Sequence, residues 1–113
     1  MLVLDEERVT SALGAVQGVA YVTRGWPRSF ERLPCLAVQQ TGETHYLYRS
    51  DRPYLDEVEM DVRIFCIRVQ DADAIAPGVD EIMEGLDYTR VLYYPDDNAE
   101  VKMRLLRYRR WAG

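Results

Sequence analysis

Between Val58 and Cys66 every even-numbered position is apolar: Val58, Met60, Val62, Ile64 and Cys66. The odd positions begin polar, with Glu57, Glu59, Asp61 and Arg63, and turn apolar at Phe65, Ile67 and Val69. A period of two predicts a strand. One face is expected to be buried throughout, and the other wet at the start and covered at the end, which predicts a central strand of about eleven residues. The period then changes. Ala72, Ile75, Ala76, Val79, Ile82, Met83 and Leu86 recur at helical spacing. Pro77 costs on the order of 3 kcal/mol deep in a helix but is tolerated in the first turn. The regular helix is therefore expected to begin near Asp73, with Asp71 or Asp73 as its cap.

The remaining elements follow from the same patterns. Val9, Ala12, Leu13 and Val16 lie on one helical face, so a helix is predicted from Asp5 to Val16. Asp5 is its expected cap, Glu6 and Glu7 suit the positive end of the helix dipole, and Gly18 is its expected left-handed stop. "VAYVTRGW" reads as a short strand and "WPRSFERLP" as a loop. "CLAVQQTGETHYLYRS" reads as two strands around a turn at Thr41-Gly42-Glu43, with Tyr46 and Tyr48 on one face of the second. "SDRPYLD" is a further turn, where Pro53 is expected to end the ladder. "TRVLYYP" and "EVKMRLLRYRRW" form a hairpin-like pair around Asp96-Asp97-Asn98. The predicted fold class is α+β: one domain spanning 1–113, with a mainly antiparallel sheet of about five strands and two helices packed on one face.

Composition narrows the function classes. A chain of 113 residues with 48% apolar and 29% charged residues is ordinary globular material, long enough for one core. Its formal net charge of −5 opposes phosphate binding unless the basic residues cluster. The two cysteines, Cys35 and Cys66, sit in strand-like apolar runs and read as small hydrophobes in a reducing compartment. "MLVLDEERV" meets acids too early to be a signal peptide, and no apolar run approaches the roughly 18 residues of a membrane span. A soluble, cytoplasmic protein is expected.

Candidate chemistry is sparse. His45 is the single histidine; with two cysteines and no ligand spacing it predicts no metal site, and it reads as an exposed strand residue. No glycine-rich phosphate loop or nucleophile elbow is present, so neither catalytic residues nor a cofactor are predicted. Glu57, Glu59 and Asp61 are neighbours along one wet strand face, without the cleft that paired-carboxylate chemistry needs. Lys102, Arg104, Arg107, Arg109 and Arg110 supply five of the fourteen positive charges. They read either as a nucleic-acid patch, with Tyr108 and Trp111 stacking, or as cross-strand partners of the acidic strand, with Lys102 and Arg104 opposite Glu59 and Asp61. The second reading is preferred. The apolar alternation slips phase between Leu105 and Leu106, which predicts a bulge or an edge there. Eight Tyr and two Trp against two Phe form an amphipathic set. Trp26, Phe30, Tyr46, Tyr48 and Tyr54 gather outside the helices, fitting an interface and plain loop packing equally.

The order of elements, "YVTRGWPRSFERLPCLAV", "MDVRIFCIRVQDADAIAPGVDEIM" and "LDYTRVLYYPDDNAEVKMRLLRYRR" together resemble the tail-completion (tail terminator, head–tail joining) proteins of long-tailed bacteriophages and prophages. Pro77-Gly78 departs from the uninterrupted apolar helix of that family. The resemblance implies a non-enzymatic virion assembly protein without cofactors. It would form a homo-oligomeric ring, commonly a hexamer, that terminates the tail tube and meets the head-side connector. It implies DNA passage rather than sequence-specific nucleic-acid binding, no membrane contact, and a place in the host cytoplasm during assembly and then in the virion. Another head–tail connector component, or a small cytosolic protein-interaction module, is the alternative. The residues expected to meet other subunits are Trp26, Tyr46, Tyr48, Tyr54, Glu57, Glu59, Asp61, Arg107, Arg109 and Trp111. In such a ring the acidic strand start would face a channel or a neighbour, and the basic strand end would be the complementary patch.

Overall fold

The computed structural model describes the backbone of residues 2–49, 52–97 and 99–112, and the side chains of residues 5–41, 57–97 and 99–111. The chain order is α1 (Leu2–Leu13), β1 (Tyr21–Arg24), β2 (Cys35–Arg49), β3 (Arg52–Cys66), α2 (Val69–Gly85), β4 (Thr89–Asp96) and β5 (Lys102–Ala112). The strands form one sheet in the order β1-β2-β3-β5-β4. β1 runs parallel to β2, and all other neighbours are antiparallel. This is the predicted α+β class: five strands with two helices on one face.

The even-numbered face of β3 meets the helices as its alternation requires. Val58, Met60, Val62, Ile64 and Cys66 pack with Leu36 and Val38 of β2, Leu106 and Tyr108 of β5, Val9 and Leu13 of α1, and Ala72, Ile75, Val79 and Met83 of α2. Gly78 of α2 faces the turn after α1, where a Cβ would meet Cγ1 of Val16 at 3.4 Å, an ordinary contact. Both cysteines are free and buried, as small hydrophobes. Cys35 pairs with Phe65, so it faces away from the helices, while Cys66 faces them.

Several boundaries differ from the sequence expectation. Residues 35–49 are one strand; Thr41-Gly42 is a register shift between Gln40 and Gly42, because the turn-like residues are absorbed as a bulge. β3 is fifteen residues long and includes Pro53, which pairs with Tyr48. β5 ends opposite Asp56, so at Pro53 the ribbon has a neighbour on one side alone, where a missing N–H is tolerated. The chain turns back between Arg49 and Arg52, and residues 50 and 51 of the expected turn lie outside the description. α1 begins before Asp5, which is therefore not its cap. Beyond Leu13 the chain tightens into i to i−3 bonds, and Gly18 takes a positive φ of 87° further on. α2 begins at Val69, so Pro77 lies inside it. Pro77 and Asp73 are both exposed, which leaves the carbonyl deprived of its partner on the wet side. Arg68 occupies the N-cap position without a side-chain cap, and Asp71, in the first turn, receives its guanidinium instead at 3.1 Å.

Candidate interaction surface

The helices cover one face of the sheet and leave the other open to loops and solvent. Directly opposed residues in antiparallel strands share a face, so the pairings lay out the open face in rows. Cys35, Phe65, Met103 and Asp96 form one row; Ala37, Arg63, Leu105 and Tyr94 the next; Gln39, Asp61, Arg107 and Leu92 the third. Glu59, Arg109 and Thr89 follow, and Glu57 and Trp111 end the series.

The apolar end of this face is covered by the loop between β1 and β2. Trp26 and Phe30 pack on Phe65 with ring centroids 5.4 and 5.1 Å away. They remain 58% and 41% exposed, and with Val101, Met103, Ala99 and Asp96 they border an open notch of about 230 Å³. The Arg63 guanidinium lies over the Trp26 ring at 5.1 Å, donates to Gln39 Oε1 at 3.2 Å, and stands 3.7 Å from Asp61. One arginine thus ties the aromatic end to the charged centre.

The centre is a ladder of ion pairs. Arg107 forks onto Asp61, with Nε donating to Oδ1 at 2.8 Å and Nη2 to Oδ2 at 3.1 Å. Arg109 Nε donates to Glu59 Oε2 at 3.2 Å and lies 3.6 Å from Glu57. Thr41 Oγ1 donates to Glu59 at 2.9 Å across the β2 bulge. Burial alone would push the Glu59 carboxyl up. The hydrogen bonds from Thr41 and Arg109 and the charges of Arg107 and Arg109 outweigh it and hold Glu59 below the usual carboxylate range. The bond to Asp61 pushes the Arg107 guanidinium up.

This geometry corrects two expectations. The acidic strand start is not a wet row: Asp61 is fully buried and Glu57 is 7% exposed. Acid and base do pair across β3 and β5, but through Arg107 and Arg109; Lys102 and Arg104 lie opposite Cys66 and Ile64. The reason is parity. Leu106 and Tyr108 must join the core, which sends the odd-numbered arginines to the acidic face and Arg104 to the helix side. There Arg104 is buried, donating from Nε to the Tyr93 hydroxyl at 3.1 Å and pairing with Asp97. The phase slip in β5 reflects a second face that is apolar at one end and charged at the other. β5 is interior to the sheet, and the bulge lies in β4, between Arg90 and Leu92.

Of the sequence-predicted interface residues, the fold brings Trp26, Glu57, Glu59, Asp61, Arg107, Arg109 and Trp111 onto this one face. Trp26 and Trp111 (56% exposed) stand out from it, and the acids are sunk into it. The side chains of Tyr46, Tyr48, Tyr54 and His45 lie outside the described residues. The sequence reading predicted β4 as a strand but did not place Val91, Leu92, Tyr93 and Tyr94, all of them exposed, among the surface candidates. Four apolar residues in a row, with no alternation and a proline next, were the available signal of an edge strand. On the helix side, two tyrosines are locked to carboxylates. The Tyr88 hydroxyl donates to Asp5 beside Arg110, and that of Tyr108 to Asp80 at 2.6 Å beside Arg90. Burial, then the hydrogen bond to Asp5, pushes Tyr88 up to about 12. Among the described residues no group of three or more His, Cys, Asp or Glu is placed to hold a metal ion, and no helix is long and apolar enough to cross a membrane.

No family model matches the chain, and no curated protein does. Among solved structures, the fold is similar to that of a chain in the virion of a native gene transfer agent (GTA) particle. The TM-score is 0.58 at 15% identity, over 96% of this chain and 89% of that one. At that identity the likeness establishes the fold.

Proposed function

We propose that this chain is a structural component of a phage-like virion and, more narrowly, a tail-completion protein. In this role it forms a ring of identical subunits, ends the tail tube and offers the head-side connector a surface. The observation that carries the reading is the shared fold with a virion chain along nearly the whole of both chains. The open sheet face supports it. Its carboxylates are consumed by arginines of the same chain, while Trp26, Phe30 and Trp111 stay exposed. Exposed aromatics around a neutralised centre suit contact with other proteins. On this reading the contacts between subunits are aromatic. The acidic residues of β3 and the basic residues of β5 are paired with each other within one subunit, which favours the aromatic contacts.

The test is to purify the chain with a tail-tube protein from the same genome and follow tube growth by electron microscopy. The chain is expected to sit as a ring at one end of each tube and to halt elongation at substoichiometric ratios. Tubes of unchanged length, with the chain decorating their sides or absent, would contradict the reading.

A further inference from the structure

β4 is the last strand of the sheet, and among the described residues nothing pairs with its outer edge. A free edge presents unpaired N–H and C=O groups, and proteins guard such edges with bulges, prolines and charges. β4 has a bulge at Val91 and a proline at Pro95. Between them the run Val91-Leu92-Tyr93-Tyr94 is 45%, 39%, 38% and 55% exposed and carries no charge. Leu92 and Tyr94 point to the open face, opposite Arg107 and Leu105, and Tyr93 points to the helix side, opposite Leu106. An added strand would therefore find apolar neighbours on both faces.

The ends of this edge are acidic. Glu84 and Asp87 precede β4 and Glu100 follows it; all three are exposed and form no ion pair among the described residues. The arginines nearby are occupied: Arg90 by Asp80 at 2.9 Å, Arg104 by Asp97, Arg107 by Asp61 and Arg109 by Glu59. We propose that β4 accepts, as an added strand, an extended segment of a different protein that is apolar at alternate positions and basic at both ends. The charge pattern disfavours a second copy. Antiparallel β4–β4 pairing would bring Glu84 and Asp87 of one copy toward Glu100 of the other, which is acid against acid. The opposite edge, β1, is only four residues long and ends in Arg24, already held by Glu6 at 2.7 Å. Main-chain bonds supply affinity in such strand addition, and the flanking charges supply selection. The inference does not rest on the ring, which is built from copies of the chain.

The test uses the isotope-labelled full chain and two synthetic peptides of alternating valine and threonine, one ending in lysines and one in glutamates. With the lysine peptide, amide exchange in residues 91–94 is expected to slow by about tenfold or more. The glutamate peptide should bind at least about tenfold more weakly, and added salt should erase the difference. Tyr94→Lys, which places a charge on the exposed edge, should abolish the protection while melting like the parent; Val91→Lys serves if that variant does not fold. Equal binding of the two peptides would overturn the proposal. So would protection elsewhere than β4, no protection with the lysine peptide, or β4 amides that slow with protein concentration alone.

Discussion

Replacing Asp61 with asparagine removes the charge at the floor of the open sheet face while keeping nearly the same volume. The parent carboxylate is fully buried and takes both prongs of Arg107, at 2.8 and 3.1 Å, with Arg63 at 3.7 Å. Breaking one partner of a fully buried ion pair costs about 3–5 kcal/mol. Arg107 keeps 32% of its side chain exposed and has Glu59 at 3.5 Å, so it can recover part of that loss in water and on the second acid. The expected destabilisation is about 1.5–3 kcal/mol, and for a chain of this size about 5–15 °C in melting temperature. Urea denaturation followed by circular dichroism measures it, with an unchanged m-value showing that the unfolded state is the same. Replacing both partners, Asp61→Leu with Arg107→Met, should recover much of the loss, because no orphan charge remains. An Asp61→Asn variant within about 0.5 kcal/mol of the parent would refute the argument, since it would mean the pair is solvated like an ordinary surface bridge.

Three further outcomes are expected. Met83→Ala, in the core between α2 and the sheet, should cost about 2–5 kcal/mol by the same denaturation assay, whereas Trp26→Ala should leave the fold intact. Asp5 and Glu59 titrate below their usual range: burial raises both, but hydrogen bonds and charges from Tyr88 and Arg110, and from Thr41 and Arg109, outweigh it. A depressed carboxyl adds stability above its unfolded pKa of about 4, and that stability is lost as pH falls through the lower folded value. Tyr88 carries the opposite sign: its raised pKa adds stability below about pH 10, lost as pH climbs toward 12, so melting curves should show losses at both extremes. Burial also pushes the thiols of Cys35 and Cys66 up, so the folded chain should resist an aromatic disulfide reagent until it unfolds.

What the sequence disclosed depended on how many physical constraints met at each position. The even-numbered face of β3 and the helical spacing of α2 were legible because burial alone imposes those periods. The start of α2 was not. Pro77 points to a first turn when propensity is read by itself, but it lies on the exposed side, where the lost bond is least costly. Thr41-Gly42 carries a turn signal, and only pairing with β3 converts it into a bulge. The five basic residues near the end of the chain admit several registers against the acids; the need to bury Leu106 and Tyr108 selects one. The aromatic end of the open face was half visible: Trp26 stood out, but its seat on Phe65 joins a loop to a strand far away in the chain. β4 was recognised as a strand, yet its unbroken apolar run and the proline after it only hint at an edge, and pairing order decides it.

The central claim is that this chain meets other proteins through exposed aromatic and apolar side chains, while its charged residues on the open face hold the fold. Hydroxyl-radical footprinting of the free chain and of the chain in assembled particles tests that claim directly. Trp26, Phe30, Trp111 and Tyr94 are expected to lose reactivity on assembly. If those four stay as reactive as in the free chain while the outer surface of α2 becomes protected, the open face is not the contact surface and the account fails.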